Sequence, residues 1–117
     1  MGLGNPGPRF EGTRHNVGFA VVEETAARLD VSLRKPLFAR YRFGRTASSS
    51  KDDRLVLAEP LTYMNRSGDV LPGLLRRAGL DPDAAVVVCD NLDLPAGRLR
   101  MKRGGGTAGH RGLASIV

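Results

Sequence analysis

The chain is predicted to fold as a single α/β domain, a mixed sheet flanked by helices. Three observations carry that expectation. Phe19, Val22, Ala26 and Leu29 recur at helical spacing and make one apolar face. Phe38, Tyr41 and Phe43 stand among arginines in the alternation of a partly exposed strand. Ala84 to Cys89 is a near-continuous apolar run, as on a central strand covered on both faces. A length of 117 residues allows one core of ordinary size.

The elements follow in order. Gly2 to Gly18 reads GLGNPGPRFEGTRHNVG and gathers glycine, asparagine and histidine ahead of the first helix. So many glycines imply a backbone that bends sharply or admits a very close neighbour. Gly2, Gly4 and Gly7 also satisfy G-x-G-x-x-G, the dinucleotide-binding fingerprint, which carries its meaning only between a full strand and a helix. Only Met1 precedes it here, and Pro6 and Pro8 stand where the phosphate-binding helix should begin, so nucleotide binding is the weaker reading. The first helix is predicted over Val17–Leu29. A strand over Phe38–Thr46, a polar connection over Ser48–Asp53 and a returning strand over Leu55–Ala58 make a hairpin. A second helix is predicted from about Gly68 to Ala78, with Val70, Leu74, Leu75 and Ala78 inward and Pro72 imposing a late start or a kink. After the apolar run, Arg98–Lys102 is predicted as a strand, and a last helix begins after Arg111.

Charge narrows the partners. Eighteen Lys plus Arg against 12 Asp plus Glu give a net charge of +6, a balance that favours polyanions. Arg98, Arg100, Lys102, Arg103 and Arg111 fall in a stretch without an acidic residue. On a strand, Arg98, Arg100 and Lys102 would share one face, either a solvated surface or a phosphate contact. Gly104, Gly105 and Gly106 beside them favour the second, because a loop without side chains lets a phosphate backbone come close. The lone Cys89 reads as a small buried hydrophobe, and a disulfide within the chain is excluded. No apolar run approaches the ~20 residues of a membrane span, and no signal peptide opens the chain, so a cytoplasmic protein is expected.

His15 lies on the lip of the glycine-rich turn. An unperturbed imidazole titrates at about 6.5, which suits a proton acceptor, although a histidine before a helix is often structural. Asp90 follows the apolar run, where α/β active sites commonly gather, with Asp93 as a rival carboxylate. Asn5 could be a turn residue, Asn65 a helix cap and Met64 plain packing.

These residues lie in four ordered motifs. GLGNPG with TRHNVGF, EPLTYMNRSG (Glu59–Gly68), CDNLDLPAGRLRMKRGGG (Cys89–Gly106) and GHRGLASI (Gly109–Ile116) together resemble the signatures of bacterial peptidyl-tRNA hydrolases across essentially the whole chain. The resemblance implies a mixed, mostly parallel sheet flanked by helices, of the phosphorylase/hydrolase-like type. It implies an enzyme of translation that cleaves the ester between peptide and tRNA and so recycles tRNA. His15 becomes the general base on water, a role worth roughly a hundred- to ten-thousandfold. Asp90 is selected over Asp93 as its partner, fixing the tautomer and stabilising the imidazolium. Asn5 and Asn65 match asparagines that hold the peptide end and the attacking water, and Phe10, Met64 and Arg111 fall at further substrate-binding positions. Arg98, Arg100, Lys102 and Arg103 are the expected RNA contacts, and His110 is read as structural. The implied partner is peptidyl-tRNA, bound by a monomer with no cofactor, no metal and no membrane.

The chain departs from the pattern at named positions. Glu59 replaces a lysine, Phe10 a tyrosine, Cys89 a histidine and Arg111 an asparagine; arginine has donors but no acceptor. The pattern also has strand residues before GLGNPG and further strands and a closing helix after GHRGLASI, so 1–117 is expected to be a domain incomplete at both ends. A non-catalytic RNA-binding relative of the same fold is the alternative, and retention of Asn5, His15, Asn65 and Asp90 argues against it.

Overall fold

A computed structural model describes residues 1–48, 50 and 53–116. Ser49, Lys51 and Asp52 of the predicted polar connection lie outside the described residues, as does Val117.

Strands β1 (Tyr41–Arg45) and β2 (Val56–Pro60) form the predicted hairpin, antiparallel, with Tyr41 opposite Pro60 and Arg45 opposite Val56. β1 starts later than its alternation suggests. Phe38 sits in a turn closed by the Ala39 N–H on the Pro36 carbonyl, with a φ of 63° and 92% of its surface exposed. On the far side of β1, Arg34 and Phe43 exchange backbone hydrogen bonds. On the far side of β2, Gly2 donates to the Ala58 carbonyl while Leu3 donates to that of Val88. The Gly2–Val88 bridge is parallel. The sheet is therefore mixed, as expected, but among the described residues it is not mostly parallel: its regular ladder is antiparallel and its parallel part is a single bridge.

Two predicted strands need correction. The run Ala84–Cys89 is not covered on both faces: it leaves a 3₁₀ turn at Pro82–Ala84, bridges among the described residues only at Val88, and leaves Val86 66% exposed. Arg98–Lys102 forms no strand at all. Leu99 and Met101, which would have made its apolar face, are 100% and 94% exposed. Alternation becomes a strand only against a ladder partner, and this segment has none among the described residues.

Helices cover both faces of the hairpin. Helix α1 (Val17–Arg28) buries Phe19, Val22 and Ala26, the last two against Leu57. Its predicted end, Leu29, is the C-cap and is exposed. Gly18 is where the first turn of α1 rests on the sheet: a Cβ there would overlap the Leu3 backbone and the Val88 carbonyl. A 3₁₀ stretch (Met64–Val70) leads into α2 (Leu71–Ala78), so Pro72 sits in the first turn, where its missing N–H costs nothing. Val70 and Leu74 pack on Tyr41 and Ala58. Leu57 and Ala58, consecutive on β2, thus point to opposite faces and anchor separate core clusters. The short helix α3 (Arg111–Ile116) docks on the 3₁₀ stretch. The Gly68 N–H donates to Ser115 Oγ at 2.9 Å, and a Cβ on Gly68 would overlap the Ser115 carbonyl. No helix among the described residues is long and apolar enough to cross a membrane.

Glu59, which stands where the related pattern has lysine, is fully buried on the α1 side of β2. Its Oε2 accepts from Nη2 of its cross-strand partner Arg42 at 2.5 Å, and Arg42 also reaches Glu23 at 3.4 Å. Glu59 Oε1 and Arg42 Nε are buried without partners among the described residues. Burial pushes the Glu59 carboxyl up to about 7, against the pull of Arg42.

Candidate active site

The glycine-rich loop does not cradle a phosphate helix. After Gly7 it passes through 3₁₀ turns at Pro8–Phe10 and Arg14–Asn16, and only then enters α1. Because Gly18 seats this junction on Val88, His15 comes to lie beside Asp90, 75 residues away in sequence.

Asp90 is buried and serves two imidazoles. Its Oδ1 is 3.2 Å from His15 Nδ1 and 3.0 Å from His110 Nε2. His15 Nδ1 is also 3.0 Å from Oδ2, an oxygen without an aligned donor among the described residues. A carboxylate only accepts, so each ring turns an N–H toward it. For His15 this puts the proton on Nδ1 and leaves the Nε2 lone pair free. The His15 side chain is 57% exposed, where that of Asp90 is 4% exposed.

The pair lies on a cleft of about 630 Å³ whose walls include Asn5, Met64, Asn65 and Arg111. The exposed side chains of Tyr63 and Leu92 belong to the same walls. Asn5 Oδ1 accepts the Met64 backbone N–H at 2.7 Å, which leaves the Nδ2 hydrogens as its polar offering to the cleft. Met64 is buried: a Cβ on Gly112 would come 2.6 Å from its sulfur, so α3 lies directly upon it. Asn65 is exposed within the 3₁₀ stretch whose N-cap is Tyr63, so Asn65 is not the cap.

Other expected site residues lie elsewhere. Phe10 is half-buried in its own 3₁₀ turn, with the Arg9 guanidinium 5.5 Å from its ring, and is not part of the cleft wall. Arg98, Arg100, Lys102 and Arg103 are exposed along the irregular segment. The Lys102 ammonium donates to the Gly106 carbonyl and folds that segment onto the glycine loop. Cys89 is half-buried, and burial together with neighbouring Asp90 pushes its thiol up.

Two contributors do not stand out in the sequence as site residues. Asn16 is buried next to His15 and exchanges hydrogen bonds with the Asn5 backbone; its only signal is its place in TRHNVG. His110, expected to be structural, does cap α3, its Nδ1 accepting the N–H groups of Gly112 at 3.1 Å and Leu113 at 3.3 Å. Its Nε2 contact with Asp90 has no counterpart in a motif of glycines.

Ligand atoms of His15, Asp90 and His110 lie within 4.8 Å of one another, a spacing compatible with a metal ion. A metal-binding nitrogen needs its lone pair. His110 commits Nδ1 to backbone donors, so Nε2 carries the ring proton and is a donor, which argues against a three-ligand site.

The sequence profile of the peptidyl-tRNA hydrolase family matches residues 1–117. The peptidyl-tRNA hydrolases of Moorella thermoacetica and Salinibacter ruber are each 45% identical over 117 residues, which cover 100% of this chain and 60% of theirs. The crystal structure of peptidyl-tRNA hydrolase from Acinetobacter baumannii superposes with a TM-score of 0.88 at 37% identity, covering 98% of this chain and 58% of that one. The chain thus spans about 60% of the length of the curated relatives it matches. Gly2 and Gly4 pack against α1, and the loop after Gly7 enters a 3₁₀ turn and no phosphate-binding helix, which removes the nucleotide-binding reading. With its motifs converging on one cleft and the family profile running through all of it, the chain belongs to the peptidyl-tRNA hydrolase family.

Proposed function

We propose that this chain hydrolyses the ester of peptidyl-tRNA with His15 as general base and Asp90 as its partner. The observation that carries the reading is the His15–Asp90 contact, made through Nδ1 at the edge of the cleft, with Nε2 left open. Nε2 takes a proton from water as the oxygen attacks the ester carbonyl carbon. The buried Asp90 stabilises the imidazolium that forms. The tetrahedral intermediate then breaks its bond to the ribose oxygen, which receives the proton back from His15. The products are a free peptide carboxylate and tRNA.

The cleft supports matching roles for its other residues. Asn5 can donate through Nδ2 to a peptide carbonyl or to the developing oxyanion, but its acceptor is held by Met64. The exposed amide of Asn65 can both accept from the attacking water and donate to it. Met64 is the packed floor, and Arg111 brings only donors to the peptide end. Arg98, Arg100, Lys102 and Arg103 supply phosphate contacts, and their exposure suits that use. Phe10 acts at most on the edge of the substrate. In this reading the chain works as a cytoplasmic monomer, on tRNA and apart from membranes, with neither cofactor nor metal. Incubation with an N-blocked aminoacyl-tRNA tests the proposal: release of free tRNA is expected, and its complete absence contradicts it.

A further inference from the structure

We infer that His110 is a positioning residue for Asp90, its tautomer locked by the first turn of α3, an inference that rests on the hydrolytic reading above. His110 lines the cleft, but its side chain is only 10% exposed and both of its ring nitrogens already have partners within the fold. Its Nδ1 accepts from the Gly112 and Leu113 backbone, and those N–H groups have no other acceptor in a first helical turn. The ring proton therefore sits on Nε2 and points at Asp90 Oδ1, 3.0 Å away. α3 is seated by close packing, Gly112 against Met64 and Gly68 against Ser115, which holds the ring in place. The charged and titratable neighbours of this contact are His15, Arg111 and Asp93 on the cleft wall, and Cys89 beside Asp90. The His15 and His110 rings meet edge to face, with centroids 6.3 Å apart. Asp90 is thus clamped between the exposed ring of His15 and a ring held at both nitrogens. The clamp ties the rotamer of the carboxylate, and through it the direction of His15 Nε2, to the seating of α3.

The two duties of His110 can be separated by amide replacements. In His110→Asn the side-chain oxygen falls near the place of Nδ1 and preserves the cap, but nothing reaches Asp90. In His110→Gln the amide N–H falls near the place of Nε2 and restores the contact at the expense of the cap. The expected result is that His110→Asn melts near wild type while kcat falls roughly 10-fold with little change in KM, the scale seen when the hydrogen-bond partner orienting a metal-binding histidine is removed. His110→Gln should melt lower yet recover most of the turnover. Full turnover in His110→Asn, or equal loss in both variants, overturns the inference. The 15N spectrum of the histidine-labelled wild-type chain is independent of hydrolysis. A proton on Nε2 of His110 with bare Nδ1 upholds the lock, and a proton on Nδ1 alone overturns it. A wild-type chain that releases no tRNA defeats the hydrolytic reading, and the spectrum then decides the tautomer by itself.

Discussion

The side-chain amide of Asn16 pairs with the backbone of Asn5 as a neighbouring strand would, accepting the Asn5 N–H at 2.8 Å and donating to the Asn5 carbonyl at 2.9 Å. This exchange ties the glycine-rich loop to the 3₁₀ turn that carries His15, so Asn5 and His15 are held together on the cleft wall. Asn16→Ala leaves those Asn5 groups without partners, at about 1–3 kcal/mol for a partly buried group. The expected outcome is a lower urea midpoint and weaker hydrolysis together. An unchanged midpoint would show that the loop is held by other contacts.

Glu59 gives the fold a pH dependence of definite sign. Its carboxyl is raised by burial to about 7 in the folded chain, against an ordinary 4.5. The folded state therefore holds the proton more tightly than the unfolded state. Stability from this group is fully present below 4.5 and is lost as pH rises through about 7. The loss should be roughly 1–3 kcal/mol, since a tenfold difference in proton affinity is worth about 1.4 kcal/mol. Urea unfolding at pH 5 and pH 7.5 should show the loss in wild type and a flatter profile in Glu59→Gln. The same slope in both proteins would assign it to other groups.

The contact between Gly68 and Ser115 leaves no room for a methyl group. Gly68→Ala should push α3 off the 3₁₀ stretch and cost about 1–3 kcal/mol by overpacking. His110 rides on the start of α3, so turnover should fall along with the melting temperature. A variant with wild-type melting and turnover would mean that α3 can be displaced without consequence.

How much of this is legible in the sequence depends on where each residue's partner lies. The α1 face of Phe19, Val22 and Ala26 is self-announcing, because helical spacing needs no distant partner. The hairpin is legible for a similar reason, its strands being close in sequence. Arg98–Lys102 has the alternation of a strand but no ladder beside it among the described residues, and pattern alone does not reveal whether a partner is there. Phe38 extends the alternation into a turn, where a φ of 63° takes it out of register. His15 and Asp90 are legible through their motifs, since nothing in their separate surroundings announces a contact across 75 residues. The link from His110 to Asp90 depends on a ring nitrogen set by backbone donors, which no residue pattern encodes.

The basic segment makes an electrostatic prediction. Arg100→Ala combined with Lys102→Ala should weaken binding of all tRNAs about equally. The slope of log affinity against log salt should become shallower by roughly one to two, as up to two fewer counterions are released. Lys102 already donates to the Gly106 carbonyl, so part of the effect is expected through the glycine loop. An unchanged slope and affinity would make these side chains a solvated surface.

The central claim is that His15 Nε2 takes the proton from water while Asp90 holds the ring. It is tested most directly by single-turnover release of tRNA from an N-blocked aminoacyl-tRNA, comparing wild type with His15→Ala. The rate should fall by roughly a hundred- to ten-thousandfold, with tRNA affinity close to wild type, because the imidazole acts on water and not on phosphate. Asp90→Asn should fall less, through the wrong tautomer and lost charge stabilisation. Near-wild-type release by His15→Ala would contradict the account.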